Sequence, residues 1–135
     1  MNFGNSGEDC SIEEIGMRAF SATPNLNIQN LPAKLKAIPG QAFYGQSING
    51  VYSAAKFTII PASVTSIGAT AFQFRAFSGV LYIENPNMES IAATAFNNTT
   101  GLTTIYVPAS VDLTKAPWNT NNGWGSNAIV KHKGT

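Results

Sequence analysis

Apolar positions in this chain follow one compound rhythm. Short apolar stretches end at or near a proline, and each is followed some ten residues later by the phrase Ile-x-x-x-Ala-Phe. The phrase occurs at Ile15–Phe20, Ile38–Phe43, Ile67–Phe72 and Ile91–Phe96, so that its phenylalanines are 23, 29 and 24 residues apart. A degenerate fifth copy, Leu-Thr-Lys-Ala-Pro-Trp, ends at Trp118, 22 residues beyond Phe96. The stretches Leu26–Leu31, Phe57–Ile60, Val80–Ile83 and Leu102–Val107 precede Pro32, Pro61, Pro86 and Pro108. Those prolines stand 11, 11, 10 and 10 residues ahead of Phe43, Phe72, Phe96 and Trp118. Proline has no N–H to give to a ladder and sits well where a strand stops. Each copy therefore predicts strand, turn, buried phrase and loop, and self-similarity at a period of 20–29 residues is the mark of a solenoid.

A repeat of this length cannot bury its own apolar face and must stack on its neighbours. The strands then form one wall of the core, the Ile and Phe of the phrase the other. The Ala before each Phe allows the next coil to approach closely. Phe20, Phe43, Phe72, Phe96 and Trp118 are expected to form an internal aromatic ladder. Three regions depart from the pattern. The first copy has Asp9, not proline, 11 residues before Phe20. The longest interval holds extra residues in Gly45–Ala55, expected to protrude as a loop. The end of the chain, from 119 to 135, is rich in Asn and Gly and is expected to fold back over the last coil as a cap, with a final short strand at Ala128–Lys133. The expected organisation is an N-terminal segment at 1–10, four to five repeats over 11–118, and the cap at 119–135. Trp118 and Trp124 suit capping, and stacking on a carbohydrate is the sharper alternative.

Composition narrows the function. Only 11% of the 135 residues are charged and the net charge is +1, which gives no reason to expect a nucleic-acid or acidic-membrane partner. The single Cys10 excludes a disulfide within the chain; it reads as a half-buried side chain, with an intermolecular link or a reactive thiol as alternatives. The single His132 lies in a basic tail and reads as solvated. With one His and one Cys no zinc cluster is expected, and no catalytic fingerprint is present. No enzyme activity and no cofactor are expected. Residues 1–10 lack the basic and apolar regions of a secretory signal, and no apolar run approaches the roughly 18 residues that cross a membrane, so no membrane insertion is expected.

In its fullest form the repeat runs Phe57-Thr-Ile-Ile-Pro-Ala-Ser-Val-Thr-Ser-Ile-Gly-Ala-Thr-Ala-Phe72, echoed by Leu102-Thr-Thr-Ile-Tyr-Val-Pro-Ala-Ser-Val111. This resembles the BspA-like leucine-rich repeat of bacterial surface proteins, over about residues 11–118. The resemblance implies a right-handed repeat solenoid with short parallel β-strands on one face and turns or short helical turns on the other. It also implies a non-enzymatic adhesion or protein-binding module of a bacterial cell-surface or secreted protein, with a host matrix or surface protein as partner. The third copy departs from it, with Ile83-Glu84-Asn85-Pro86 where an apolar residue should precede the proline. Alternation along the strands makes Thr58, Tyr82, Glu84, Thr104 and Tyr106 the expected outward side chains, and with Tyr52 in the insertion they are the expected interaction surface. Because a slip of one residue turns a strand over, this depends on register. The alternative reading is a structural subunit of a larger assembly, such as a virion, contacting assembly neighbours.

Overall fold

A computed structural model of the chain describes residues 13–18, 31–45, 47–48, 51–120 and 123–134. The first copy of the phrase beyond Arg18, the strand expected over Leu26–Leu31 except Leu31 itself, Cys10 and the segment 1–10 lie outside the described residues.

Among the described residues ten short strands alternate with tight turns. They are β1 (Ala37–Ile38), β2 (Ser47–Ile48), β3 (Val51–Ala54), β4 (Ile59–Ile60), β5 (Ser66–Ile67), β6 (Arg75–Ala76), β7 (Val80–Ile83), β8 (Ser90–Ile91), β9 (Thr104–Val107) and β10 (Ile129–His132). They assemble into three sheets, in the orders β1-β5-β8, β10-β9-β7-β4 and β2-β3-β6. All pairings are parallel except the β2–β3 hairpin. The chain therefore winds as a solenoid in which successive coils add parallel rungs to these sheets, with the β2–β3 hairpin formed inside one coil. Helix is almost absent: among the described residues one short 3-10 turn occurs, at Gly123–Gly125.

The turns explain why. One corner is closed by the amide of Leu35, Val64 or Val111 donating to the carbonyl of Pro32, Pro61 or Pro108 three residues before it. A second corner is closed inside the phrase, where Ala42, Ala71 and Ala95 donate to Pro39, Gly68 and Ala92. At that corner Gln41 and Thr70 take left-handed backbone angles, φ 59° and 52°, which a right-handed helix cannot continue through. The phrase thus makes a tight bend and returns to extended chain.

The core sits where the notation of the phrase places it. Ile38, Ile67, Ala42, Ala71, Ala95, Phe43, Phe72 and Phe96 are buried almost completely. The amides of Phe43 and Phe72 each donate to the alanine carbonyl of the next coil, Ala71 and Ala95, at 2.9 Å. Phe43 stacks on Phe72 at 5.4 Å and Phe72 on Phe96 at 5.0 Å, with planes within 5°. Such pairs add about 0.5–1.5 kcal/mol each beyond burial. Phe57 and Phe77, one on either side of Phe72, form a second column against the first.

Two sequence expectations change. The ring next to Phe96 is Trp124, at 6.4 Å, and not Trp118, which meets the column edge-on through Trp124. The reason is backbone pairing: Phe96 donates to the Trp124 carbonyl, the role that Ala71 and Ala95 play for Phe43 and Phe72 in the two preceding coils. The insertion expected to protrude over Gly45–Ala55 instead contains the β2–β3 hairpin, which joins β6 in the third sheet. Ser-Ile and Val-Tyr-Ser flanking an Asn-Gly pair are a strong hairpin signal.

The irregular third copy has its own corner. In one sheet Ile60 pairs with Ile83, an offset of 23, while in the next Ser66 pairs with Ser90, an offset of 24. Glu84, not Pro86, therefore occupies the position of Pro61, and one extra residue is absorbed in the turn. Asn85 manages it: its Oδ1 accepts the Asn87 amide at 2.8 Å, and its Nδ2 donates to the Val64 carbonyl at 2.8 Å.

Candidate functional site

Alternation decides which side chains the long sheet presents. In β7 and β9 the residues Leu81, Ile83, Ile105 and Val107 are buried, while Val80, Tyr82, Thr104 and Tyr106 are only partly covered and point outward. Register places the outward residues in rows across the strands. One row runs Val80, Thr104, Ile129; the next runs Ile59, Tyr82, Tyr106, Lys131. Tyr82 and Tyr106 stack at 5.1 Å with planes 19° apart. Ile59 and Ile129 are 44% and 59% exposed, unusual values for isoleucine in a small protein with a closed core. The face is thus apolar and aromatic with few charges, the composition of a protein-interface centre.

A third row lies just past the strand ends. Glu84 follows β7, Pro108 follows β9 and Lys133 follows β10. The Lys133 amide donates to the Val107 carbonyl at 2.7 Å, continuing the β9–β10 ladder. Its ammonium lies 3.6 Å from a Glu84 carboxylate oxygen and 5.7 Å from the centre of the Tyr82 ring.

Of the residues expected on the surface, Tyr82, Glu84, Thr104 and Tyr106 are half-buried and lie in the outward rows; Thr58, also half-buried, precedes β4 in the row of the buried Leu81, and Ile59 takes the outward place expected of it. Tyr52 lies in β3, in the third sheet, paired with Ser47; its side chain is outside the described residues. Ile59, Ile129, Lys131 and Lys133 lie outside the interaction surface that the sequence predicts. Only the register of β10 brings the last three to the face.

Other candidate chemistry disperses. Trp118 and Trp124 are 5% and 2% exposed, so neither offers a face for a sugar to stack on. His132 is not simply solvated: it is half-buried and its Nε2 lies 2.8 Å from the Val111 carbonyl. Arg75, fully buried in β6, donates from Nε to the Phe43 carbonyl at 2.6 Å. Burial pulls its pKa down to about 10, which leaves it charged at neutral pH. Among the described residues no group of three or more His, Cys, Asp or Glu could hold a metal ion, and no helix is long and apolar enough to cross a membrane.

A family model for the BspA type leucine-rich repeat region (6 copies) matches residues 8–117. The chain belongs to the BspA-type leucine-rich repeat family. No curated protein and no solved structure gives a match. BspA-type repeats are modules of protein interaction, frequent on surface proteins and typically non-enzymatic scaffolds. In this BspA-type chain the outward rows of the four-stranded sheet form an uncovered surface, apolar and aromatic at its centre.

Proposed function

We propose that this chain is a non-enzymatic protein-binding module of the adhesion type, carried on a bacterial cell-surface or secreted protein, and that it binds through the outer face of the β10-β9-β7-β4 sheet. The observation that carries this reading is the stacked Tyr82–Tyr106 pair, outward-facing, with the exposed Ile59 beside Tyr82 and the exposed Ile129 in the neighbouring row. A pre-stacked aromatic pair presents large contact area with little rotamer freedom left to lose on binding.

The test is capture of the purified chain on immobilised extracellular-matrix proteins, comparing wild type with Tyr82→Ala/Tyr106→Ala. The expected result is capture by wild type and at least tenfold weaker capture by a variant that melts cooperatively. Equal capture by both chains overturns the face assignment, and so does a variant that cannot fold, since it would make the tyrosines core. Co-purification with particles in place of matrix capture favours a structural subunit of a larger assembly.

A further inference from the structure

We infer that Tyr82 and Glu84 form a subsite for a cationic side chain of a partner protein, and that Lys133 of the chain's own tail occupies it in the free molecule. The inference rests on the interaction face proposed above and adds the chemistry of its ligand.

The site is built by one strand and its continuation. Tyr82 and Glu84 are two residues apart, so both point to the outer face, separated by the inward Ile83. The ring supplies a π face and the carboxylate a full negative charge. An ammonium or guanidinium held between a ring and a carboxylate gains from both. Glu84 is well placed for this, its side chain being only 30% exposed. The stack with Tyr106 fixes the ring on its other neighbour.

Lys133 shows that the site takes a cation. It reaches there from β10, across the position that Pro108 occupies in β9, and meets both groups at once. The contact is shallow, with the Lys133 side chain still 56% exposed. Exposed pairs of this kind are worth little, so a partner residue that also buries surface on the tyrosines displaces Lys133 at small cost. The tail therefore tunes the affinity of the face: it screens Glu84 until a cation from a better-fitting surface replaces it. Lys131, in the row of the tyrosines, is the other charge on this face. It faces no carboxylate in the described contacts and acts only through long-range repulsion of a cationic ligand.

The experiment uses the full chain and two short peptides, one alternating Lys with Ser and one alternating Glu with Ser, titrated while the Tyr82 and Tyr106 ring resonances are followed by NMR. Lys133→Ala is expected to bind the lysine peptide about two- to fivefold more tightly than wild type, as removal of an exposed competing pair allows. Lys131→Ala is expected to gain clearly less. Glu84→Gln is expected to lose binding in both the wild-type and Lys133→Ala backgrounds. Equal gains for Lys131→Ala and Lys133→Ala mean bulk electrostatics alone and overturn the inference, as does preference for the glutamate peptide or no binding of the lysine peptide by any variant. Matrix capture that depends on the tyrosines but ignores Lys133→Ala and Glu84→Gln sinks this inference alone. Absence of tyrosine-dependent capture sinks the face reading, whatever the peptides do.

Discussion

The buried amide of Asn85 donates to the carbonyl of Val64, one coil earlier, across 2.8 Å. It takes over a corner where the other coils use proline. Replacing Asn85 by Ala removes the donor and leaves the Val64 carbonyl facing an apolar interior, which costs about 1–3 kcal/mol. Urea unfolding of Asn85→Ala should show the loss as a lower midpoint at an unchanged slope. An unchanged midpoint would mean that water satisfies the carbonyl and that the corner does not depend on Asn85.

Gly68 bears directly on the coil before it. A methyl group placed there would overlap the backbone of Gly40 and Pro39, which cannot swing aside as a side chain can. Gly68→Ala is therefore expected to destabilise by about 1–3 kcal/mol, as overpacking does. Gly16 provides the contrast, with no atom within 4 Å of the equivalent methyl. Gly16→Ala should leave the melting temperature essentially unchanged.

Thr70 holds a β-branched side chain at φ 52°, a region that such residues rarely enter. Asparagine tolerates it far better. Thr70→Asn is expected to stabilise the chain by up to about 1 kcal/mol, read as a rise in melting temperature. A fall would show that the exposed Thr70 hydroxyl, bonded to the Ala69 carbonyl at 2.7 Å, matters more than the backbone angle.

Much of this architecture could be read from the sequence, and the residues show why. Ile38, Ile67, Ala71 and Phe72 are buried because the phrase repeats, and a repeat imposes the same surroundings on each copy. Val80–Ile83 forms a strand with the bounds of its apolar stretch. What escaped the sequence depends on contacts between distant segments. Pro86 looks like the partner of Pro61, yet Asn85 shifts the count by one. Phe77 joins the core outside any phrase. Trp124, rather than Trp118, follows Phe96 because a backbone hydrogen bond chooses it. Lys133 reaches Tyr82 and Glu84 only because β10 pairs with β9 in one particular register, which no local pattern specifies.

Asp112 offers a local check on side-chain geometry. Its carboxylate accepts the Thr114 hydroxyl at 2.6 Å and the Thr114 amide at 2.9 Å. Chiefly through the hydroxyl bond, and then the amide bond, these hold its pKa below the usual aspartate range. A carboxylate with a depressed folded pKa stabilises the fold above its unfolded pKa, and that contribution fades as the pH drops through the folded value. Thr114→Val should move the Asp112 titration, followed by carboxyl-carbon NMR, back up towards the ordinary range. No movement would mean that the hydroxyl bond is not formed in solution.

The tail from 119 to 135 carries both β10 and Trp124. Deleting it uncovers the edge of β9 and one side of Phe96. The shortened chain is expected to melt at a lower temperature and to self-associate, since an unpaired strand edge is a template for pairing. A monomer with the original melting temperature, by light scattering and calorimetry, would show that the tail shields nothing.

Among the described residues the strands of each coil pair with those of the coils beside it, in three ladders, and one hairpin pairs within its own coil. Mechanical load applied along the stack therefore meets a few small barriers in series, not one large one. If such a chain tethers two bodies, it yields by paying out one coil of about 24 residues at a time, each lengthening the tether by roughly 80 Å. A pulling trace on a single molecule would be stepped at that interval, and a tether of this kind dissipates a sudden tug instead of snapping.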